Sequence, residues 1–151
     1  MSELVKVLVI DDDEIVRTSI SATLRNAGYE VETAESGAKA IAKSASRFYN
    51  LALIDIRLPD MEGTELLKKL KETTPKMVKI ILTGYPSLQN AVEAVNEGAD
   101  GYIIKPAKMD ELLRMIREHI TKQQTAERFT EEKIKEFVET RLMKLNDGVT
   151  G

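Results

Sequence analysis

The sequence predicts an alternating α/β protein in which a five-stranded parallel sheet lies between two layers of helix. Three observations carry this. Five short apolar runs recur along the chain, segments of helical period separate them, and the residues closing the runs place acids, a hydroxyl and an ammonium group at one end of the sheet. At 151 residues, 42% hydrophobic and 31% charged, the chain suffices for one core of ordinary size plus an appendage and is short for two domains.

The runs at residues 5–10, 51–54, 78–82 and 101–104 are nearly continuous in Val, Ile and Leu, as parallel strands covered on both faces require. The run at 30–34 sets Glu30 and Glu32 against Val31 and Thr33 and reads as an edge strand. After the first run, Val16, Ile20, Leu24 and Ala27 fall on one helical stripe, and Gly28 stands where a left-handed C-terminal cap belongs. Leu66, Leu67 and Leu70 mark a helix that stops before Pro75. Ser87 caps a helix carrying Leu88, Ala91, Val92 and Val95 that ends at Gly98, and Leu112, Leu113, Ile116 and Ile120 form the stripe of the last core helix. Five strand-then-helix repeats with right-handed crossovers wind into a three-layer sandwich.

From residue 121 the character changes. Residues 121–128 (TKQQTAER) are polar and read as a linker or an exposed helical continuation. Thr130 then stands as an N-cap before Glu131 and Glu132, and Ile134, Phe137, Val138, Arg141, Leu142 and Leu145 follow at helical spacing up to Asn146-Asp147-Gly148. Six basic residues (Lys122, Arg128, Lys133, Lys135, Arg141, Lys144) balance six acids (Glu127, Glu131, Glu132, Glu136, Glu139, Asp147), so this helix calls for an apolar partner rather than a phosphate backbone. The division is residues 1–121 as one domain and 122–151 as linker and C-terminal amphipathic helix. Three readings of the tail compete: a connection to a further segment, a helix packed back on the domain, or a dimer-forming helix.

Composition excludes several function classes. A net charge of -3 leaves no basic patch at the level of the whole chain, against direct nucleic-acid binding by this segment. The absence of cysteine excludes disulfides, thiolate metal sites and cysteine nucleophiles, and fits a reducing cytoplasm. Met1-Ser2-Glu3-Leu4 does not open a secretory signal, and no stretch approaches the roughly 20 apolar residues that span a bilayer. The expectation is a cytoplasmic protein without a membrane partner.

In an open parallel sheet, ligands gather at the carboxyl ends of the strands, near the point where strand order reverses. There the sequence offers Asp11-Asp12-Asp13, Asp55, Thr83-Gly84 and Lys105-Pro106. Clustered carboxylates repel, and a hard divalent cation with oxygen ligands, Mg²⁺ above all, resolves the repulsion. With Asp55 attacking phosphorus, the metal, Lys105 and the Thr83 hydroxyl stabilise charge on the transferring group, and Gly84 leaves room for it. Each feature alone has a plainer reading: a helix cap for the Asp triplet, a turn residue for Asp55 ahead of Pro59, ordinary loops for Thr-Gly and Lys-Pro. Their joint order on the strand ends is what points to function. Asp13 and Glu14 read as caps of the first helix rather than ligands. His119, the sole histidine, has no partner at metal-ligand spacing and reads as a surface side chain.

The stretches VLVIDDDE, LALIDIRLPDMEG, IILTGY and GYIIKPA resemble, in order and spacing over residues 4–120, the receiver domain of two-component response regulators. The resemblance implies a flavodoxin-like fold with sheet order 2-1-3-4-5 and Asp55 as phosphoacceptor. It implies Mg²⁺ (or Mn²⁺) held directly by Asp12, mostly through water by Asp11, and by Asp55 and the main-chain carbonyl of Arg57. Lys105 would contact the phosphoryl group, Thr83 would move to hydrogen-bond it, and Tyr102, at the aromatic switch position, would turn inward. A cis Lys105–Pro106 bond is implied as well. The donor would be a phosphohistidine on a sensor histidine kinase or histidine phosphotransfer protein, with small phosphodonors as substitutes. The group would later leave to water at a rate set partly by Arg57 and Tyr85. Such a receiver catalyses its own modification and is not an enzyme on external substrates. Its output face would be the fourth helix, fifth strand and fifth helix, and that face and the C-terminal helix are the candidate homodimer surfaces. Two rival readings stand beside it: a receiver-shaped module that is not phosphorylated, and a haloacid-dehalogenase-type phosphatase using Asp11-x-Asp13.

Overall fold

The computed structural model describes residues 4–150, with side chains through residue 144. The elements run β1 (Lys6–Ile10), α1 (Glu14–Asn26), β2 (Glu30–Ala34), α2 (Gly37–Ser46), β3 (Leu51–Ile54), α3 (Gly63–Lys69), β4 (Val78–Thr83), α4 (Leu88–Asn96), β5 (Gly101–Ile104) and α5 (Met109–Thr150). All strands are parallel and ordered β2-β1-β3-β4-β5, the flavodoxin-like order. Strand order reverses at β1, so the carboxyl ends of β1 and β3 flank the crevice where such sheets hold ligands.

The two-residue period of the strands divides the core. Leu8, Ile10, Ala52, Ile54 and Ile81 face one side, where Ala40 of α2, Leu66 and Leu67 of α3 and Ala94 of α4 cover them. Val7, Val9, Leu51, Leu53, Ile80 and Leu82 face the other, against Ile20 and Leu24 of α1 and Leu112, Ile116 and Ile120 of α5. Each such Leu or Ile removed from water contributes on the order of 1.5–3 kcal/mol. Because β1, β3 and β4 are covered on both faces, their sequences lack polar alternation, whereas the edge strand β2 keeps Glu30 exposed. Buried Lys79 on β4 is the exception, and its Nζ donates to the carbonyl of Leu67 (3.0 Å), one of the last-turn carbonyls of α3.

Helix ends follow local chemistry. Asp13 Oδ1 accepts from the amides of Ile15 (2.9 Å) and Val16, Ser36 Oγ from Lys39 and Ser87 Oγ from Asn90. Gly28 and Gly98 adopt the left-handed conformation (φ 98° and 94°) just past α1 and α4. The bonds Thr74–Pro75 and Lys105–Pro106 are cis.

Two expectations need correction. On α4 only Ala94 is buried, whereas Leu88, Val92 and Val95 of the apolar stripe are exposed, because the short half-buried β5 leaves that flank open. Of the two readings of residues 121–128, the helical continuation holds and the linker does not. α5 is one continuous helix of 42 residues, about 63 Å long at 1.5 Å per residue. Thr130 is not an N-cap, since its hydroxyl donates to Ala126 O within the helix, and Asn146-Asp147-Gly148 does not end it. Lys, Gln, Ala, Glu and Arg are strong helix formers and carry the helix through the polar stretch without an apolar stripe. Gln123 also ties the helix to the base of the sheet: its Nε2 donates to Asn50 O (3.0 Å) and Lys76 O (2.7 Å), and its Oε1 accepts from Asn50 Nδ2 (3.1 Å). Farther out Ile134, Phe137, Val138 and Leu142 are exposed, so beyond Gln124 the described part of the tail does not pack back on the domain. The Leu145 side chain lies outside the described residues. Among those residues no helix is long and apolar enough to cross a membrane.

Removing Gln123 strands two main-chain carbonyls and the Asn50 amide at a nearly dry site. Gln123→Ala is expected to lower stability by about 1–3 kcal/mol, seen as a lower urea midpoint with an unchanged slope. A change of no more than a few tenths of a kcal/mol would contradict this clamp.

Candidate functional site

Three strand ends are extended by one hydrogen bond each, and this sets the rim. The amide of Asp11 donates to Ala34 O (3.1 Å), that of Asp55 to Ile10 O (3.0 Å) and that of Lys105 to Thr83 O (2.8 Å). Each side chain therefore leaves the sheet at its carboxyl edge in a fixed direction. Asp11 and Asp55 are only 3% and 5% exposed, while Asp12 is open to solvent. One carboxylate oxygen from each of the three lies within 4.8 Å of the others. The Lys105 Nζ closes the group, 2.5 Å from Asp11 Oδ2 and 3.3 Å from Asp55 Oδ2.

The remaining contacts hold these groups in place. Asp11 Oδ1 accepts from the Asp13 amide (2.9 Å), Asp55 Oδ1 from the Arg57 amide (3.4 Å), and Arg17 Nη1 donates to Asp11 O (2.7 Å). Asp13 Oδ1 caps the first turn of α1, the role expected of it, and Asp13 is not in the Asp11, Asp12 and Asp55 cluster. Thr83 is fully buried and its Oγ1 accepts from the Tyr85 amide (3.0 Å). Around Gly84 the nearest atom to an added Cβ is Lys105 Cδ at 3.9 Å, so the space there is open. Tyr102 packs inward against the core, its hydroxyl shielded from water without a hydrogen-bond partner. His119 is half-buried on α5, away from the rim.

Two features of the rim were not read from the sequence. The Arg57 guanidinium lies 3.9 Å from the centre of the Tyr85 ring, a cation–π contact spanning the loops after β3 and β4. Gly63 admits the chain so closely that a Cβ there would sit 2.2 Å from Asp55 O. The Glu62-Gly63 step in the sequence carried a signal for it, since glycine is the residue that tolerates close backbone approach.

Burial pushes the Asp55 carboxyl above the usual carboxylate range, and the Asp11 charge adds to the shift, while Lys105 and the Arg57 amide oppose it without reversing it. Burial works against the Lys105 ammonium, but its hydrogen bond to Asp11 and the charges of Asp11 and Asp55 hold its pKa above the ordinary value. Three acids against one lysine leave the rim net negative, with oxygen donors only. That donor set fits a hard divalent cation.

Fold and rim define a class: an open flavodoxin-like sheet with an acidic site at its switch point. The sequence profile of the response regulator receiver domain matches residues 7–117, and the chain belongs to that family. The transcriptional regulatory protein ZraR of Klebsiella oxytoca is 42% identical over 110 residues, which is 73% of this chain and 25% of that protein. The chain thus spans about a quarter of the length of such curated relatives. A CheY-like receiver domain protein from Methanospirillum hungatei superposes with a TM-score of 0.79 at 46% identity, over 82% of this chain and 99% of that one. A response regulator from Burkholderia pseudomallei, solved with a phosphorylated aspartic acid, calcium ion and citrate, superposes at 0.71 with 30% identity, over 82% and 72%. Members of this family are phosphoacceptors in two-component signalling.

The raised Asp55 carboxyl makes a stability prediction. Its folded pKa exceeds its unfolded value, so its contribution is most favourable below the unfolded value near 4 and is lost as pH rises through the folded one. In metal-free buffer Asp55→Asn should therefore raise the urea midpoint at neutral pH, by on the order of 1 kcal/mol once the lost Lys105 contact is set against relieved burial and repulsion. The gain should shrink toward pH of about 4. A gain that is constant with pH, or a loss at neutral pH, contradicts the electrostatic reading.

Proposed function

We propose that this chain accepts a phosphoryl group on Asp55 from a phosphohistidine of a sensor histidine kinase or histidine phosphotransfer protein, in a reaction that requires Mg²⁺ or Mn²⁺. The observation that carries the proposal is the convergence of Asp11, Asp12 and Asp55 within 4.8 Å, with Lys105 reaching two of them. Asp12, Asp55 and the Arg57 carbonyl would hold the cation directly, and Asp11 largely through water. When bound, the cation neutralises the carboxylates and the developing charge on the phosphoryl oxygens.

The residues then divide the work. A carboxylate oxygen of Asp55 attacks phosphorus, the P–N bond to the donor imidazole breaks, and the imidazole leaves with the bonding pair. With acetyl phosphate the P–O bond breaks and acetate leaves. Burial that raises the Asp55 pKa also strips water from its carboxylate, and the Lys105 ammonium moves its donors onto the incoming phosphoryl oxygens. Thr83, whose hydroxyl is held by the Tyr85 amide, lies at the end of β4 and supplies a further donor on rearrangement. Tyr102 would report that rearrangement: its ring packs against the core and its shielded hydroxyl lacks a partner, so holding it inward leaves a polar group unsatisfied. Differential contacts of a few kcal/mol between the two arrangements suffice to shift such an equilibrium.

Output runs through the face of α4, β5 and α5, where Leu88, Val92, Val95 and Ile104 stand exposed next to Tyr102. The same patch and the outer stripe of α5 are the surfaces for a second copy. The domain division is residues 1–121 as the receiver and 122–151 as its C-terminal segment, helical as far as Thr150. The relatives are named transcriptional regulators, and the net charge of -3 of this chain favours DNA contact by an output segment over contact by the receiver itself. A cytoplasmic site of action agrees with the absence of cysteine.

Incubation with acetyl phosphate and Mg²⁺ should add one phosphoryl group by intact mass, lost in Asp55→Asn and on chelation of the metal. Lys105→Ala should cut the rate by about 100-fold or more. Retention of the modification in Asp55→Asn sinks the assignment. Because the Arg57–Tyr85 stack joins the two loops that follow Asp55 and Thr83, Tyr85→Ala should change the lifetime of the aspartyl phosphate several-fold, read from the decay of the modified mass.

A further inference from the structure

The loop between β3 and α3 carries the Arg57 carbonyl past Asp55, and it is docked on a different part of the molecule. Asp60, near its tip, accepts two hydrogen bonds from the first turn of α2: Oδ1 from the Gly37 amide (2.9 Å) and Oδ2 from the Ala38 amide (2.8 Å). These amides have no partner within the helix, and they lie at the positive end of its dipole. Ser36, the N-cap, reaches only the Lys39 amide (3.2 Å), so the cap of α2 is shared between a local serine and an aspartate more than twenty residues away. Met61 seats beside it, so close to Gly37 that a Cβ at that glycine would meet the Met61 sulfur at 2.4 Å. The other end of the loop is closed on the site itself, by the Gly63 amide on Ile56 O (2.6 Å), by Leu58 N on Met61 O (3.2 Å) and by the bridge pairing Arg57 with Glu62.

The loop therefore has one fixed end at Asp55 and one fixed tip at α2, and Arg57 lies between them. We propose that Asp60 is a positioning residue which, by clamping the loop tip to the α2 N-terminus, orients the Arg57 carbonyl toward the acidic rim and so sets the affinity for the divalent cation. The inference rests on the proposed function, since it concerns the same cation site. The Ala38 and Gly37 amides also hold the Asp60 carboxyl below the usual carboxylate range, which keeps the acceptor charged at neutral pH.

The test compares Mg²⁺ dissociation constants, from amide-shift titrations of the full chain, for wild type, Asp60→Ala, Asp60→Asn and Ser36→Ala, with urea unfolding of each as the folding control. Asp60→Ala should weaken Mg²⁺ binding by about 10-fold. Asp60→Asn, which retains one acceptor oxygen, should stay within about 3-fold of wild type. Ser36→Ala removes the other side-chain cap of the same helix without touching the loop, and should leave the constant unchanged. Acetyl-phosphate modification of Asp60→Ala should be slow at low Mg²⁺ and recover at saturating Mg²⁺. A wild-type constant in Asp60→Ala, or an equal loss in Ser36→Ala, overturns the positioning role while leaving the proposed function standing. Wild type that binds no Mg²⁺ overturns both.

Discussion

The Lys105 ammonium set between the carboxylates of Asp11 and Asp55 is the contact on which the rest depends. Two nearly buried acids at adjacent strand ends repel each other and lose their hydration, and a fold that placed them there without a cation would be strained. Parallel topology forces the proximity, because β1 and β3 are neighbours and both chains leave at the same edge. The lysine comes from β5, two strands farther along the sheet, so the balance of charge ties the whole width of the rim together. One lysine does not neutralise three acids. The surplus negative charge is what suits the site to a divalent cation and to a phosphoryl group that arrives with one.

From that rim the structure extends in two directions. Toward α2, the exposed loop after β3 is tied down by the two hydrogen bonds of Asp60 and by Met61 packed against Gly37. Toward α4 and β5, packing is thin: one buried residue on α4 and a half-buried edge strand. Sparse burial makes this the part of the domain with the least to lose by rearranging. Thr83 and Tyr102 stand at its border with the rim. The domain thus packs densely around β1, β3 and the acidic rim and sparsely at α4 and β5, with α5 a continuous helix clamped at Gln123.

Legibility in the sequence followed the range of the interaction. Strands buried on both faces announce themselves by unbroken Val, Ile and Leu, and caps such as Asp13, Ser87 and Gly98 act within a few residues. The rim was legible because its acids, hydroxyl and lysine occur in fixed order at strand ends, a pattern that motif resemblance sharpened. Contacts across long separations were not. Gln123 sits in a stretch that reads as solvated surface, and only the base of the sheet makes it a buried clamp. Asp60 carried no local signal, because its partners on α2 lie more than twenty residues earlier in the chain. The expected helix break at Thr130 failed because local capping chemistry competes with helix propensity, and over residues 121–130 propensity prevails. On α4 an apolar stripe was present but its neighbour was too small to cover it.

The account stands on acids from separate loops sharing one cation, and paramagnetic broadening of backbone amides by sub-stoichiometric Mn²⁺ tests that directly. It predicts loss of signal concentrated at residues 11–13, 55–57 and 105 and abolished in Asp12→Asn, with the acids of outer α5 such as Glu131 and Glu139 unaffected. Broadening spread over the acidic surface, or retained in Asp12→Asn, would contradict it.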